Sequence, residues 1–221
     1  MITAKGVKRS FPVVGGEAFW ALKGFDIHIE RGKLTILRGK SGSGKTTLMN
    51  ILSALDYPTE GEVCFNGKDI VQMGEKARGQ LRRKQIGFIF QSVALIPMLT
   101  AYENVEFALR MAKYRGDRKA RAKECLQKVG LGNRMDHMPQ ELSGGEQQRV
   151  AIARAIAHQP EIIFADEPTA ELDSNTAFQV MRIFKQLCAT EGITIVMTTH
   201  DTELMELGDT VFHLEGGELI E

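Results

Sequence analysis

The chain has 221 residues, 28 basic and 28 acidic side chains, and 43% apolar residues. This length and composition suffice for one well-packed core, and the balanced charge gives no general attraction for nucleic acid or an anionic membrane surface. The three cysteines have no metal-binding spacing, which favours buried reduced thiols over a zinc site. No apolar run approaches the roughly 18 residues of a membrane span, so we expect a protein that is soluble or peripheral through a partner.

The first part of the chain predicts β-strands around one loop-to-helix unit. Residues 25–29 alternate between apolar and polar side chains, and the mostly apolar residues 34–37 follow a turn, which predicts antiparallel strands and then a buried strand. A glycine-rich loop comes next, and a helical pattern starts at Thr46. The Asn66-Gly67 pair after a short apolar stretch predicts a hairpin.

The remainder predicts a helical insertion followed by a return to alternating strands and helices. Residues 95–159 are almost wholly helical in pattern, whereas residues 162–165 and 193–199 are buried strands on either side of a helix at about 175–188. Residues 209–220 close the chain as a hairpin. We therefore expect an α/β fold with a mostly parallel sheet, an N-terminal antiparallel β lobe and a helical lobe.

The domain organisation follows from this order. We expect one domain over residues 1–221, in which a helical subdomain at about 95–159 is inserted between core segments 1–94 and 160–221.

Residues 39–46, GKSGSGKT, match the pattern G-x-x-x-x-G-K-[ST] of a phosphate-binding loop. The glycines permit a nest of backbone N–H groups, Lys45 can reach β- and γ-phosphate oxygens, and the Thr46 hydroxyl can ligate Mg²⁺. A merely flexible loop is the alternative. The position between a buried strand and an amphipathic helix favours phosphate binding, so we call residues 39–46 the phosphate loop.

Further polar groups follow apolar strands. Asp166 and Glu167 come directly after residues 162–165, at a strand end where ligands bind in doubly wound folds. Asp166 is suited to holding Mg²⁺ and Glu167 to polarising an attacking water. His200 and Gln91 also follow strands, but each alone is as compatible with a structural role as with a catalytic one.

Residues 142–155, LSGGEQQRVAIARA, predict a helix that begins after Ser143. Its first N–H groups could bind an anion, although the segment contains no lysine. The basic clusters at residues 82–84 and 115–123 contain or adjoin acidic residues and are interpreted as solvated helix faces.

These motifs together resemble the ATPase subunit of ATP-binding cassette (ABC) transporters over essentially the whole chain. Residues 39–46 resemble the Walker A loop, Gln91 the Q-loop glutamine, residues 142–147 the signature motif, residues 162–167 the Walker B strand, residues 170–173 the D-loop and His200 the switch histidine. In that family two subunits pair head to tail, and the signature motif of one caps the nucleotide of the other. We call residues 142–147 the signature segment.

The resemblance implies ATP and Mg²⁺ as ligands and a second copy of the chain as partner in an ATP-sandwich homodimer. The implied nucleotide-binding residues are Gly39, Lys40, Ser41, Gly42, Ser43, Gly44, Lys45, Thr46 and Thr47, with Ser143, Gly144, Gly145, Glu146 and Asp173 acting across the dimer. The implied metal ligands are Thr46, Gln91 and Asp166, and the implied catalytic residues are Glu167, His200, Gln91 and Lys45. Phe11 is the candidate for stacking on adenine, with Phe19 and Trp20 as alternatives.

Residues 90–105 and 142–154 are further similar to the lipoprotein-releasing and macrolide-exporter branch (LolD/MacB-like). This implies an integral membrane permease with four spans and an extracytoplasmic domain, and a location at the cytoplasmic face of the membrane, peripheral through that permease. Leu95, Ile96, Met98 and Leu99 are the candidate docking surface, unless they are simply buried in the helical lobe.

Two other functions remain open: an ABC ATPase of the cell-division type that transmits force or signal without cargo, and a soluble ABC ATPase that acts on ribosomes or DNA. We expect no direct nucleic-acid binding. A P-loop kinase would leave the signature segment without a role.

Overall fold

The computed structural model describes residues 1–220. The strands are β1 (Ile2–Phe11), β2 (Phe19–Lys23), β3 (Ile27–Ile29), β4 (Leu34–Arg38), β5 (Glu60–Phe65), β6 (Lys68–Asp69), β7 (Ile86–Ile89), β8 (Ile162–Ala165), β9 (Thr194–Thr199), β10 (Thr210–Glu215) and β11 (Glu218–Ile220). The helices are α1 (Lys45–Leu52), α2 (Glu75–Gln85), α3 (Ala101–Met111), α4 (Arg118–Lys128), α5 (Gly144–Ile156), α6 (Ser174–Glu191) and α7 (Thr202–Met205), with a 3-10 turn at Pro139–Glu141.

The strands form two sheets. The antiparallel sheet has the order β2-β1-β5-β6, and β3 also pairs with β1. The second sheet has the order β11-β10-β4-β9-β8-β7, in which every pair is parallel except β10 with β11. β8 and β9 are buried along their whole length, as expected for parallel strands covered on both faces. The predicted α/β class and the hairpin at Asn66-Gly67 are confirmed.

Two clusters of buried apolar side chains hold the described part of the chain together. One joins the parallel sheet to helices α3, α4, α5 and α6. The other lies between the two sheets and around α1. The phosphate loop and α1 are thus fixed to both sheets by burial of apolar surface.

The helices of the region 95–159 begin at the residues that the sequence indicates. Thr100 and Ser143 each form a reciprocal capping box with a glutamate three residues later, and Asp117 accepts from the N–H groups of Lys119 and Ala120. At the other end of α5, Arg121 donates to the carbonyls of Ile156 and Ala157, both at 3.0 Å. The proposed boundaries of a helical subdomain stay a prediction.

The interpretation of residues 82–84 as a solvated face is wrong for Arg82, and the neighbouring Arg78 was missed. Arg78 is 1% exposed, donates to the carbonyl of Ile70 and stacks 3.7 Å from the ring centroid of Tyr57. Arg82 donates to the carbonyl of Ala54 at 2.5 Å. These guanidinium groups tie α2 to the chain after α1 by satisfying backbone carbonyls.

None of the helices within residues 1–220 combines the length and the apolar character that crossing a membrane requires.

Candidate functional site

Four neighbouring strands end at one edge of the parallel sheet. β4, β9, β8 and β7 run parallel in that spatial order. The phosphate loop follows β4, and His200 follows β9. Asp166 and Glu167 follow β8, and Gln91 lies just beyond β7. The fold therefore gathers at one edge five features that are up to 161 positions apart in the sequence, in the crevice where doubly wound folds bind ligands.

The backbone of the phosphate loop needs glycine where it passes other segments. A Cβ atom on Gly39 would lie 2.2 Å from the carbonyl oxygen of Leu214, and one on Gly44 would lie 2.7 Å from that of Ala21. Gly44 also has a φ of 102° and is the N-cap of α1, where no side chain caps the helix. The first N–H groups of α1 thus remain directed at the space in front of the loop.

Lys45 folds back over the phosphate loop. Its Nζ donates to the carbonyls of Gly39 at 2.7 Å and Lys40 at 3.0 Å, and the residue is only 6% exposed. Ser43 is also buried, and its hydroxyl has no hydrogen-bond partner among the described atoms. The loop thus holds a buried positive charge and a buried hydroxyl, both of which an anion could engage.

The other polar side chains of this region are more accessible. Lys40, Ser41 and Thr46 are exposed, and Thr47 is half-buried.

Asp166 joins three segments through its carboxylate. The Thr46 hydroxyl donates to Oδ2 at 3.1 Å, and the Thr198 hydroxyl donates to Oδ1 at 2.6 Å. The Thr198 oxygen in turn accepts from the N–H group of Glu167 at 2.8 Å. Sequence reasoning assigned no role to Thr198, although its polar side chain near the end of a buried strand was the available signal.

These oxygens fit a hard cation. Mg²⁺ prefers carboxylate and hydroxyl oxygens and usually keeps several ligands from water or substrate phosphates. Residues 1–220 contain no group of three or more His, Cys, Asp and Glu side chains that could hold a metal ion. Thr46 and Asp166 would therefore supply only part of a coordination shell, which phosphate oxygens could complete.

Glu167 and His200 face each other across the ends of β8 and β9. His200 Nδ1 lies 3.4 Å from Glu167 Oε2, and the His200 side chain is 68% exposed. Glu167 has a φ of 43°, a left-handed conformation that is costly for a residue with a Cβ atom. The hydrogen bond from Glu167 N–H to Thr198 fixes the backbone that carries this carboxylate next to Asp166.

Gln91 is exposed two residues after the end of β7, and the chain that follows it is attached to α5. Arg154 of α5 donates to the carbonyls of Ala94 at 2.6 Å and Val93 at 3.0 Å. Ala94 has a φ of 47°. The guanidinium group fixes this turn by its two-pronged geometry, a role that the sequence did not indicate.

The signature segment begins α5, and Ser143 and Glu146 form the capping box of this helix. Glu146 N–H donates to Ser143 Oγ at 3.3 Å, and Glu146 Oε2 accepts from Ser143 N and Oγ, both at 2.9 Å. Hydrogen bonds from the Ser143 backbone and hydroxyl lower the pKa of Glu146, and Arg134, 3.2 Å away, adds to this effect. Ser143 and Gly144 are exposed, whereas Gly145 is buried.

Within residues 1–220, no hydrogen bond or ion pair joins the signature segment to the phosphate loop. Asp173 likewise lies apart from that loop as the N-cap of α6, where its carboxylate accepts from Thr176. The predicted ligand groups thus divide into one set at the strand ends and a second set at the starts of α5 and α6.

The candidate adenine-stacking aromatics lie on the β1–β2 hairpin. Phe11 is directly opposite Phe19, so their rings share one face of the sheet, while Trp20 is opposite Ser10 and points to the other face. The Arg9 guanidinium lies 4.7 Å from the centroid of the Phe11 ring. All three aromatic residues are exposed.

Comparison with known proteins gives a uniform result. A family model described as ABC transporter matches residues 22–170. The uncharacterized ABC transporter ATP-binding protein MJ1508 of Methanocaldococcus jannaschii is 48% identical over 100% of this chain and 98% of its own length. The macrolide export ATP-binding/permease protein MacB of Wolinella succinogenes is 44% identical over 99% of this chain, which spans 34% of that longer relative.

A solved structure of MJ0796, an ABC transporter ATP-binding protein of M. jannaschii, has a TM-score of 0.90 and 42% identity, covering 100% of this chain and 97% of that one. It is described as a dimeric post-hydrolysis state bound to ADP and Pi.

Proposed function

Because the chain belongs to the ABC transporter family of ATP-binding proteins, we propose that its strand-end residues form one half of an ATP site that a second copy of the chain completes. The chain is an ABC ATPase, and we assign ATP binding and ATP hydrolysis to particular residues. The observation that carries it is the hydrogen bond between Thr46 and Asp166, which unites the phosphate loop with the acidic end of β8.

Within one subunit, the phosphate loop binds the β- and γ-phosphates. Lys45 exchanges the carbonyls of Gly39 and Lys40 for phosphate oxygens, and the uncapped N–H groups of α1 add further donors. Thr46 and Asp166, with Gln91, would hold Mg²⁺. When bound, this ion neutralises negative charge on the phosphates.

Glu167 and His200 act at the γ-phosphate end of the site. Glu167 orients the attacking water and accepts its proton, because it directly follows Asp166 at the strand end and its backbone N–H is fixed by the hydrogen bond to Thr198. His200, 3.4 Å from Glu167, donates a hydrogen bond to the γ-phosphate. Phe11 stacks on adenine, with Phe19 on the same sheet face as the alternative.

The signature segment acts on the nucleotide of the partner subunit. Gly144 and Gly145 offer N–H donors at a helix N-terminus without a lysine, and the phosphate loop of the other chain supplies that lysine. Ser143 joins them by exchanging Glu146, to which its N–H and hydroxyl donate in the single chain, for phosphate oxygens. Glu146 and Asp173 support this surface from α5 and α6. The dimeric form of the MJ0796 structure supports a symmetric pairing with two buried nucleotides.

Sedimentation of Glu167→Gln tests the two-subunit site. We expect this variant to bind ATP, hydrolyse it slowly and form a stable dimer only with ATP. Adding Ser143→Arg should abolish the dimer while each monomer still binds ATP, whereas Gln186→Arg, at an exposed position of α6, should leave the dimer intact. A Glu167→Gln protein that binds ATP yet stays monomeric would contradict the shared site.

We further propose that ATP-driven dimerisation powers a membrane permease of the exporter or lipoprotein-release type, at the cytoplasmic face of the membrane. The support is the set of relatives named ATP-binding/permease protein MacB. We assign the docking surface to Leu95, Ile96, Met98 and Leu99, of which all but Met98 are half-buried and Leu95 also packs against the core. Met98 is 84% exposed, and a pocket of about 370 Å³ lies at the neighbouring Ala94, lined in part by Phe90 and Met111.

A pull-down from detergent-solubilised membranes tests the partner. Tagged Glu167→Gln should recover a four-span permease with an extracytoplasmic domain, and Met98→Asp should reduce that recovery. Val211→Asp is the matched control, because Val211 is an exposed apolar residue on β10, towards the opposite side of the sheet. Recovery of ribosomal or DNA-associated proteins alone would refute the permease proposal but not the ATPase. Transport assays on the recovered complex would separate an exporter from a force-transmitting cell-division type.

A further inference from the structure

The start of α5 and the first turn of α6 touch at a point that leaves no room for a side chain. A Cβ atom on Gly145 would lie 2.3 Å from Cγ2 of Thr176, far inside van der Waals contact. Gly145 is buried at this contact. The glycine is therefore required here by the methyl group of Thr176, in addition to any role of its N–H group towards a ligand.

Thr176 is itself held by Asp173. The Asp173 carboxylate accepts from the Thr176 hydroxyl at 2.6 Å and from the Thr176 N–H at 3.0 Å. These hydrogen bonds lower the pKa of Asp173, so the carboxylate stays ionised at neutral pH. Since the hydroxyl and the methyl share one carbon atom, fixing the hydroxyl on Asp173 also fixes the methyl against Gly145.

We propose that Thr176 is a positioning residue that couples Asp173 to the signature segment. The inference rests on the proposed function, in which both Asp173 and the signature segment face the partner subunit. While Asp173 holds the hydroxyl, the methyl supports the buried start of α5 and keeps Ser143 and Gly144 in place. If Asp173 releases the hydroxyl, the Thr176 side chain is free to rotate, and the signature segment loses the support that the dimer contact requires.

Through Thr176, the first turn of α5 and the first turn of α6 respond together to a change at either one. Their N-caps, Ser143 and Asp173, belong to different helices. Thr176 contacts Gly145 in the first turn of α5 and hydrogen-bonds to Asp173, the N-cap of α6. A change at either helix start is therefore transmitted through one side chain, and a threonine in a helix has two preferred χ1 rotamers, as an element that couples two sites requires.

Two substitutions test the hydroxyl and the methyl group of Thr176 separately. In the Glu167→Gln background, Thr176→Ser keeps the hydroxyl and removes the methyl, while Thr176→Val keeps the shape and removes the hydroxyl. Thr176→Ser should raise the ATP concentration needed for half-maximal dimerisation by about fourfold or more, the factor that loss of one methyl contact corresponds to. Thr176→Val should raise it by about tenfold, because the hydrogen bond to the charged Asp173 is lost. ATP affinity of the dilute monomer should not change, because the phosphate loop is untouched.

Thr190 provides the matched control on the same helix. It is an exposed threonine near the other end of α6, and its hydroxyl donates to the carbonyl of Gln186. Thr190→Ser and Thr190→Val should leave both dimerisation and monomer affinity at the values of the parent.

Adding a methyl group at residue 145 and removing one at residue 176 tests the contact between Gly145 and Thr176. Gly145→Ala should strongly impair dimerisation because its methyl meets Thr176 Cγ2, and combining it with Thr176→Ser should recover part of the loss. If Glu167→Gln dimerises on ATP but the Thr176 variants behave as the parent, or the double variant is no better than Gly145→Ala, the coupling is refuted and the proposed function stands. If Glu167→Gln does not dimerise on ATP, the shared site and this coupling both fall.

Discussion

The Thr46 hydroxyl donates a 3.1 Å hydrogen bond to Asp166, although the two residues are 120 positions apart in the chain. One belongs to the first turn of α1 and the other follows β8. The contact depends on β9, which places β4 and β8 on its two sides and so brings the phosphate loop opposite the acidic strand end. The two oxygens that would share Mg²⁺ are thereby positioned before any ligand binds.

Removing the Thr46 hydroxyl should abolish most of the ATPase activity. For Thr46→Ala we expect kcat to fall by about 100-fold or more, because metal-assisted charge stabilisation is worth several kcal/mol. Thr46→Ser keeps the hydroxyl and should retain activity within a small factor of the original. Steady-state hydrolysis over a range of Mg²⁺ concentrations measures both. Equal activity of the two variants would exclude Thr46 as a metal ligand.

Thr198 should matter for both stability and activity. Thr198→Val leaves Asp166 Oδ1 and the N–H group of Glu167 without their partner, at a cost of about 1–3 kcal/mol for each group. We expect a lower Tm together with a lower kcat, since Glu167 loses the bond that orients its backbone.

Thr194→Val is the matched control for Thr198→Val. Thr194 is on the same strand and equally buried, but it accepts from Gly32 N–H at the opposite end of β9. Loss of the Thr194 hydroxyl should lower Tm and leave kcat nearly unchanged. A similar fall in kcat for both variants would show that the effect of Thr198 is general destabilisation.

Local features of this chain were predictable because their causes are local. The phosphate loop is identified by the residues that its backbone requires, and Ser143 with Glu146 predicts a helix start because the capping box needs those residues at that spacing. The polar ends of β7, β8 and β9 were also predictable, since parallel strands covered on both faces are continuous apolar runs that end abruptly.

The long-range partners of charged side chains were not predictable. Arg78, Arg121 and Arg154 all donate to backbone carbonyls. Their acceptors, Ile70, Ile156 and Val93 respectively, are 8, 35 and 61 positions away along the chain. A carbonyl has no signature in the sequence, and a basic residue buried among carbonyls looks the same as one on a solvated face. The contact between Gly145 and Thr176 was hidden for a similar reason, because it depends on how α5 packs against α6.

The cysteines should differ sharply in reactivity. Burial raises the pKa of Cys125 and of Cys188 to about 11, and both lie in the apolar core. Cys64 of β5 is only half-buried. At pH 8 we expect iodoacetamide to modify Cys64 first, and Cys125 and Cys188 at rates lower by about 100-fold, because the thiolate is the reactive form. Mass spectrometry of time points measures this, and all three should react alike in guanidinium.

The carboxylate of Glu146 should make stability depend on pH in the acid range. Hydrogen bonds from the Ser143 backbone and hydroxyl lower its pKa below the ordinary value of 4.5. A carboxyl whose folded pKa is lowered stabilises the folded state above its unfolded pKa, and this contribution is lost as pH falls through the folded pKa. The Tm difference between the original protein and Glu146→Gln should therefore be constant above about pH 5.5 and shift against the original protein below about pH 4.5.

Scanning calorimetry without nucleotide, from pH 7 to pH 3, measures this difference. Glu62→Gln, at an exposed position of β5, is the control for removing one carboxylate outside the capping box. Glu146→Gln can still accept from Ser143 N–H through its neutral amide oxygen, so the comparison isolates the charge. A Tm difference that stays constant down to pH 3 would mean that the hydrogen bonds from Ser143 do not favour the ionised form, and the capping box would then be equally stable with a neutral side chain.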